Sequence, residues 1–566
     1  MEIVQSILTL LAGCGVFMTG MKLMGDALER SAGQGMRRLF GRISGNRFAG
    51  IGVGAAVTAI IQSSSATSVM VIGFVNAGLM TLVQATAIIM GANIGTTVTG
   101  ILVSLSAFDI GLYLAALALI GVFIMMFGKR DYLKRIGGIL CGLGLIFVGL
   151  DFMSSAFKGD NALSRAFTQL FSTISFPLLL IIFGAVFTAI IQSSSAATGL
   201  IITMVGQDVL MLRYALFIVL GSNIGTCITA ILASIGASTN AKRTAFIHLA
   251  FNVIGTIVFA AFMWIFSDAV VGALTKLIPS PQMQVAWFHV IFNVVTTLLL
   301  VPFIKQLTRF AEFVIKDKKD DGDALKLSYI DDRILQTPPI AVAQVLKEID
   351  DMGRLARENL DRAMNAVLNL DLSEKEKILK TEEKINFINK GVARYLIKVS
   401  ALSLSRTDEK TVGSLHHVIG DLERIGDHAE NFIEQAEEMK ENNVEFSSDA
   451  RDELVTMYSR VTEMFDLSMS VFEKRDTVRL KDVSALEAQV DVLKKLFGNS
   501  HIMRLNNGNC TVESGTYFYA MITALERIAD HLTNVAFSIR SPSGSQVEAM
   551  QKLAAEAAKS GSRQTH

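Results

Sequence analysis

The chain has 566 residues, of which 51% are hydrophobic and 18% charged, and its mean hydropathy is +0.44. Such a hydropathy excludes a single water-soluble globule. The formal net charge is zero, but residues 1–310 hold 18 Lys and Arg against 9 Asp and Glu, and residues 311–566 hold 34 against 43. This asymmetry predicts a membrane domain over residues 1–310, followed by a water-exposed domain.

Apolar segments of about 20 residues predict roughly seven membrane-spanning helices. They cover residues 3–24, 80–105, 110–128, 137–153, 210–235, 244–268 and 286–304. Two further apolar segments, residues 48–75 and 176–205, are each interrupted by a run of hydroxyl residues. We therefore expect these two segments to form broken or re-entrant helices.

Basic residues cluster in the connections between these segments, and such clusters favour the cytoplasmic side of a membrane. They are Arg37, Arg38, Arg42, Arg47, Lys129, Arg130, Lys134, Arg135, Lys242, Arg243, Lys305 and Arg309. The pattern predicts a multi-pass protein of the inner (plasma) membrane, with the N-terminus outside and the C-terminal domain in the cytoplasm. It also places the two interrupted segments on opposite sides of the lipid bilayer.

The interrupted segments contain a motif that occurs twice. AIIQSSSA spans Ala59–Ala66 and Ala189–Ala196, while GANIGT at Gly91–Thr96 returns as GSNIGT at Gly221–Thr226. Both pairs keep one and the same spacing, and the odd number of spans between the copies inverts the second one. The sequence thus predicts two inverted repeats, about residues 30–135 and 160–310, as in alternating-access transporters.

Polar side chains in these motifs are the candidate ligands for a transported anion and a coupling cation. Serine hydroxyls donate to anions and coordinate Na⁺, and a broken helix adds free N–H and carbonyl groups. The candidates are Gln62, Ser63, Ser64, Ser65, Thr67, Asn93, Gln192, Ser193, Ser194, Ser195, Thr198 and Asn223. A single serine run is more typical of helix packing, but its duplication with NIGT favours a site.

The interrupted segments contain no Lys or Arg between Phe48 and Thr81 or between Phe176 and Leu212. A bound anion would therefore need cations for neutralisation, which predicts cation coupling. No phosphate-cradling GxxxxGK[ST] loop is present, so ATP is not expected to drive transport.

An HxxxN pair also occurs twice, as His248 with Asn252 and as His289 with Asn293. Each pair lies at i, i+4 spacing and shares one helix face. The pairs fit either contacts between helices or a functional role.

The paired QSSS and NIGT motifs resemble the bacterial branch of the type II sodium-phosphate cotransporter family, over most of residues 1–310. The resemblance implies Na⁺-coupled symport of inorganic phosphate, with both ions bound first by Gln62–Ser65 and Gln192–Ser195. A phosphate exporter or channel, and a membrane-tethered phosphate-signalling protein, are the alternatives. Catalytic motifs and a basic face are lacking, so neither an enzyme nor a nucleic-acid partner is expected.

The C-terminal part has the pattern of an all-α domain. A charged linker (residues 311–339) precedes amphipathic helices over residues 340–540, and a flexible tail covers 541–566. The predicted helices span residues 340–370, 373–401, 408–440, 446–474, 478–497 and 511–540. LERIGDHAEN at Leu422–Asn431 returns as LERIADHLTN at Leu525–Asn534, which predicts a pair of three-helix bundles.

These helices resemble the PhoU family of phosphate-signalling regulators. The resemblance implies a regulatory domain, with phosphate-signalling proteins or a second copy of the chain as partners. In that family ExxxD pairs bind a divalent or iron-type metal, and the matching residues are Glu423, Asp427, Glu487, Asp491, Glu526 and Asp530. Glu382 and Asn386 depart from this pattern. Hydrated carboxylates paired with Arg424 or Arg527 are the alternative interpretation.

Overall fold

The structure is a computed structural model that describes residues 2–41, 46–108, 110–159, 161–174, 176–317, 325–402 and 404–540. The side chains of residues 33–41 and of Gln336 lie outside this description, as do the predicted tail and most of the charged run that begins at Lys316. The chain divides into two compact units. Met1–Gly322 with Asp331–Ala341 forms the membrane unit, and Asp323–Ile330 with Val342–His566 forms the helical unit.

The described part of the membrane unit is helical, as predicted. Its helices are α1 (Glu2–Gly41), α2 (Arg47–Ile61), α3 (Ser64–Asn76), α4 (Leu82–Ser104), α5 (Gly111–Phe127), α6 (Asp131–Phe157), α7 (Ala162–Thr173), α8 (Pro177–Ile191), α9 (Ser194–Gly206), α10 (Leu212–Gly225), α11 (Cys227–Ala233), α12 (Thr239–Leu277), α13 (Pro281–Leu300) and α14 (Ile304–Val314).

Six helical stretches among the described residues are long and apolar enough to cross a membrane. They are Glu2–Ala32, Leu82–Ala107, Asp131–Phe157, Leu212–Ala233, Thr239–Leu277 and Pro281–Val314. The remaining predicted span, residues 110–128, forms α5, whose 17 residues lie at the lower limit for crossing a bilayer. The protein is therefore a membrane protein built from apolar helices.

Both serine motifs interrupt a helix at the same place, which confirms the predicted breaks. Gln62 and Gln192 have left-handed backbones, with φ of 58° and 56°. The serine that follows each of them is extended, and its side chain caps the next helix: Ser63 Oγ accepts from the Ala66 N–H at 3.1 Å and Ser193 Oγ from the Ala196 N–H at 3.2 Å. Such a cap satisfies one of the N–H groups that a helix start leaves free.

Glycines hold the broken helices close to their neighbours. A Cβ atom on Gly91 of α4 would overlap the Ile51 carbonyl oxygen of α2. A Cβ atom on Gly221 of α10 would likewise overlap the Ile181 carbonyl oxygen of α8. The two glycines, and likewise the two isoleucines, are separated in the sequence by the same offset as the two serine motifs. The motif repeat is therefore also a repeat of local packing. Small residues that permit such an approach are typical of membrane helix interfaces.

Part of the predicted linker belongs to the membrane unit. A 3₁₀ turn at Asp332–Gln336 packs against α3, and Ile334 is fully buried. Asn76 Nδ2 donates to Asp331 Oδ2 at 2.6 Å, and Arg333 Nε donates to the Ala233 carbonyl at 2.6 Å. These tertiary contacts have no local sequence signal, so composition alone assigned the segment to a connector.

The helical unit contains the six predicted helices. They are α15 (Pro338–Asn369, whose first residues belong to the membrane unit), α16 (Lys375–Ser400), α17 (Arg406–Glu441), α18 (Ser448–Lys474), α19 (Leu480–Asn506) and α20 (Val512–Phe537). The fifth helix, α19, continues beyond its predicted end. Helices α17 and α20, which carry the two LERI motifs, pack against each other.

Replacing Gly91 by alanine tests the close packing of α2 against α4. We expect Gly91→Ala to destabilise the protein by about 1–3 kcal/mol, because the new methyl group must displace backbone atoms. Gly52→Ala is the matched control, since nothing lies within 4 Å of a Cβ atom there. Thermal unfolding of the detergent-solubilised protein measures the difference. Equal unfolding temperatures for the two variants would show that this packing is not tight.

Candidate functional site

The serine hydroxyl groups that follow the first break are uncommitted, by which we mean that they make no hydrogen bond within the described residues. Ser64 is 4% exposed, and within the described part of the chain neither Ser64 nor Ser65 makes a side-chain hydrogen bond. Their N–H groups lie in the first turn of α3, where no intrahelical acceptor exists. This helix start therefore has several neighbouring donors without acceptors, and its dipole favours negative charge.

Other residues of the first motif form hydrogen bonds that stabilise the helix break. The Thr67 hydroxyl donates to the Ser63 carbonyl at 3.1 Å and accepts from Thr58 Oγ1 at 2.9 Å. Gln62 donates to the Ala59 carbonyl at 2.5 Å and accepts from Thr99 Oγ1 at 2.9 Å. The structure thus separates residues that hold the break from serines whose hydroxyls remain available.

The second motif also has serine hydroxyls without hydrogen-bond partners. Ser194 is 5% exposed, and neither it nor Ser195 makes a side-chain hydrogen bond among the described residues. Gln192 is exposed, in contrast to the half-buried Gln62. The buried Thr198 lies one helical turn beyond Ser194, so its hydroxyl belongs to the same helix start.

Sequence reasoning missed Ser68. The constant offset between the two motifs pairs Thr198 with Ser68, not with Thr67, and it pairs Thr67 with Ala197. Ser68 is fully buried, and its hydroxyl has no hydrogen-bond partner in the described residues. Carrying the offset through the whole motif would have identified this residue.

The NIGT asparagines are bound by the HxxxN pairs of α12 and α13. Asn93 Nδ2 donates to Asn252 Oδ1 at 2.9 Å, and His289 Nε2 lies 3.2 Å from Asn223 Oδ1. All four side chains are buried. The HxxxN residues therefore do connect helices, and each connection ends on a motif residue.

The predicted metal ligands of the first bundle lie in a carboxylate cluster that includes Glu382. Burial, Asp427, Glu430 and Glu423 together raise the pKa of Glu382 to about 8. Burial and Asp427 raise the pKa of Glu423, and burial raises that of Asp427. Asn386 Nδ2 donates to Glu382 Oε1 at 3.2 Å. The cluster thus favours a protonated carboxyl group.

The predicted ligands of the second bundle also lie together. Burial, Asp491 and Asp530 raise the pKa of Glu487, and Lys494 Nζ lies 2.9 Å from Glu526 Oε2. Among the described residues, no three His, Cys, Asp or Glu side chains are arranged to hold a metal ion. The residues as placed do not fit the predicted metal, and the basic partner in this cluster is Lys494 rather than Arg527.

Buried hydroxyls at two helix breaks within a bundle of membrane helices are typical of transporters of small ions. The sequence profile of the Na⁺/Pi-cotransporter family matches residues 16–155 and 160–305, and that of the PhoU domain matches residues 349–436 and 454–539. The chain therefore belongs to the Na⁺/Pi-cotransporter family of phosphate transporters and carries a C-terminal PhoU region, as the motifs indicated.

Two curated relatives and one solved structure show what this chain is similar to. YjbB of Escherichia coli (strain K12), whose name describes inorganic phosphate export, is 26% identical over 94% of this chain and 97% of its own length. The human sodium-dependent phosphate transport protein 2B is 33% identical over 138 residues, 22% of this chain and 20% of its own. PhoU from Streptococcus pneumoniae has a crystal structure that matches with a TM-score of 0.33, 20% identity and coverage of 36% of this chain and 94% of PhoU.

The raised pKa of Glu382 makes the stability of the helical unit depend on pH. Its carboxyl group binds a proton more tightly in the folded chain than at its ordinary pKa of 4.5, so folding stability falls as the pH rises from about 4.5 to about 8. We expect Glu382→Gln to slow hydrogen–deuterium exchange in α16 at pH 8, roughly ten-fold or more, and to change it little near pH 5.

Exchange is compared at equal pH in the full-length protein, so that intrinsic rates cancel. Glu383→Gln is the control, because this neighbouring side chain is exposed. Unchanged exchange at pH 8 in Glu382→Gln would mean that Glu382 is not held in its neutral form.

Proposed function

We propose that the protein moves inorganic phosphate across the cell membrane together with Na⁺, as a symporter, and that its PhoU region regulates this transport from the cytoplasm. The observation that carries the proposal is the pair of buried, uncommitted serine hydroxyls, Ser64 and Ser194, at the starts of α3 and α9. Two such helix starts offer an anion several donors without a basic side chain.

The absence of basic side chains explains why a cation is needed. From Phe48 to Thr81 and from Phe176 to Leu212 the sequence has no Lys or Arg, so the protein supplies only neutral donors there. Burying an unpaired anion costs far more than burying one that is paired. Sodium ions coordinated by serine, threonine and asparagine oxygens provide the missing positive charge, and their gradient provides the driving force.

The local repeat of breaks, caps and glycine contacts supports an alternating-access mechanism. In this proposal the two copies are inverted relative to each other, and the ions bind at their interface near the middle of the bilayer. The candidate ligands are those predicted from the sequence, with Ser68 added as the counterpart of Thr198. The proposed topology has an outer N-terminus and a cytoplasmic helical unit, following the basic residues.

Export is the second candidate function. It is favoured by YjbB, which aligns over 94% of this chain and whose name describes phosphate export. The same site serves either direction. A coupled transporter moves its ions in the direction in which the sum of their electrochemical gradients is downhill. Direction is therefore a matter of gradients and regulation rather than of site chemistry.

Uptake of ³²P-labelled phosphate by proteoliposomes tests the symport proposal. With an inward Na⁺ gradient we expect saturable uptake, and with K⁺ in place of Na⁺ we expect little, because the buried anion then lacks its cations. Equal uptake in both salts would exclude Na⁺ coupling and favour a channel. No flux in either salt, inward or outward, from protein shown to be folded would favour a signalling protein.

Alanine substitutions of the uncommitted serines test the site. We expect Ser64→Ala and Ser194→Ala each to reduce phosphate uptake about ten-fold or more, because each removes a donor to a charged ligand. Yield and unfolding temperature should remain close to those of the unsubstituted protein. Ser155→Ala is the control, since its exposed hydroxyl donates to the Phe152 carbonyl of its own helix. Unchanged uptake in both serine variants would refute the assignment.

A further inference from the structure

The ring of His289 has one nitrogen in use and one free. His289 on α13 is 2% exposed, and its Nε2 atom lies 3.2 Å from Asn223 Oδ1. A carbonyl oxygen only accepts hydrogen bonds, so Nε2 carries the proton and Nδ1 of the neutral ring keeps a lone pair. This Nδ1 atom is buried and has no hydrogen-bond partner in the described part of the chain.

Asn223 carries the complementary unused group. Its Nδ2 atom is also buried without a partner among the described residues. The hydrogen-bonded pair of Asn223 and His289 therefore holds one unused donor and one unused acceptor. Buried polar atoms are rarely left unpaired in native proteins, and each exception calls for an explanation. A ligand that both accepts and donates a hydrogen bond would satisfy the two atoms together.

The free nitrogen lies beside the second serine motif. A Cβ atom on Gly100 of α4 would be 3.7 Å from His289 Nδ1 and 3.8 Å from the Thr198 methyl carbon. Both atoms thus border the same small volume, which a glycine leaves without a side chain. Helix α9, with Ser194 at its start, packs against both α4 and α13. We therefore infer that His289 Nδ1 lies beside the proposed anion site.

The other HxxxN pair is connected differently. Asn252, not His248, bonds the first NIGT asparagine. The His248 ring is buried and makes no hydrogen bond to the rest of the described chain. Two histidines at matching positions of the same motif therefore differ in their contact with the site, which makes His248 a matched control.

We propose that His289 and Asn223 together recognise an oxyanion that still carries a proton, and that they thereby select phosphate over sulfate. This inference rests on the proposed function. His289 Nδ1 accepts a hydrogen bond from the P–O–H group, and Asn223 Nδ2 donates to an unprotonated oxygen. Inorganic phosphate retains at least one hydroxyl at neutral pH, whereas sulfate retains none.

Sulfate cannot satisfy the free nitrogen. If sulfate were bound, a lone pair of a sulfate oxygen would face the lone pair of His289 Nδ1. The buried nitrogen would then remain without a hydrogen-bond donor. Sites built to bond a ligand hydroxyl reject analogues that lack it much more strongly than apolar pockets discriminate by size. Serine and backbone donors alone would accept either anion.

Two substitutions separate the ring nitrogens. In His289→Gln the side-chain amide nitrogen can take the place of Nε2 and keep the bond to Asn223, but the acceptor at Nδ1 is lost. In His289→Asn the side-chain oxygen can take the place of Nδ1, but the bond to Asn223 is lost. We expect the preference for phosphate over sulfate to fall about ten-fold or more in His289→Gln and to change less than about three-fold in His289→Asn.

The preference is measured in two ways with full-length protein. Displacement of bound ³²P-phosphate by sulfate from the solubilised protein reports recognition, and competition in proteoliposome uptake reports transport. If the unsubstituted protein binds phosphate selectively but transports none, the proposed function fails and this inference stands. If it transports phosphate and His289→Gln keeps full selectivity, the inference fails and the proposed function stands.

Two further variants complete the test. His248→Gln should keep the preference for phosphate, and an equal loss of selectivity there would overturn the specific role of His289. Gly100→Ala retains His289 and adds a methyl group at ordinary contact distance, so the protein should fold. It should weaken phosphate binding about ten-fold by filling the volume in front of Nδ1, and unchanged binding would contradict the placement of the anion there.

Discussion

The membrane unit depends on one constraint, which is that a helix broken within apolar surroundings must still satisfy its backbone polar groups. At both breaks the structure meets this requirement with the same residues. A left-handed glutamine turns the chain, and the next serine caps the new helix: Gln62 with Ser63, and Gln192 with Ser193. The donors that remain after capping belong to the residues that we assign to the anion.

Close helix packing keeps these donors away from lipid. Gly91 and Gly221 allow α4 and α10 to contact the backbones of α2 and α8, and Ser64 and Ser194 beside the breaks are buried. The same packing delivers Asn93 and Asn223 to the HxxxN side chains of α12 and α13. Rigid support of this kind is what a site needs in order to discriminate between similar anions.

The helical unit has a different constraint, because it buries acidic groups between its helices. Glu382 is almost fully buried beside Asp427, and a neutral carboxyl group avoids the cost of a buried charge. The second bundle places Lys494 against Glu526. Burial therefore raises carboxyl pKa values in both bundles, most strongly at Glu382 in the first, while Glu526 of the second contacts a basic side chain.

The sequence by itself determined the helical fold class, the division into a membrane part and a charged part, and the two helix breaks, because hydropathy and a motif repeated at constant spacing can be read directly along the chain. It also indicated the QSSS and NIGT residues as candidates. Only the tertiary structure decided which of these side chains form hydrogen bonds within the protein, as Thr67 does, and which form none among the described residues, as with Ser64. It also joined Asp331 and Arg333 to the membrane unit and His289 to Asn223. Such contacts join residues far apart in the chain, so no local pattern encodes them.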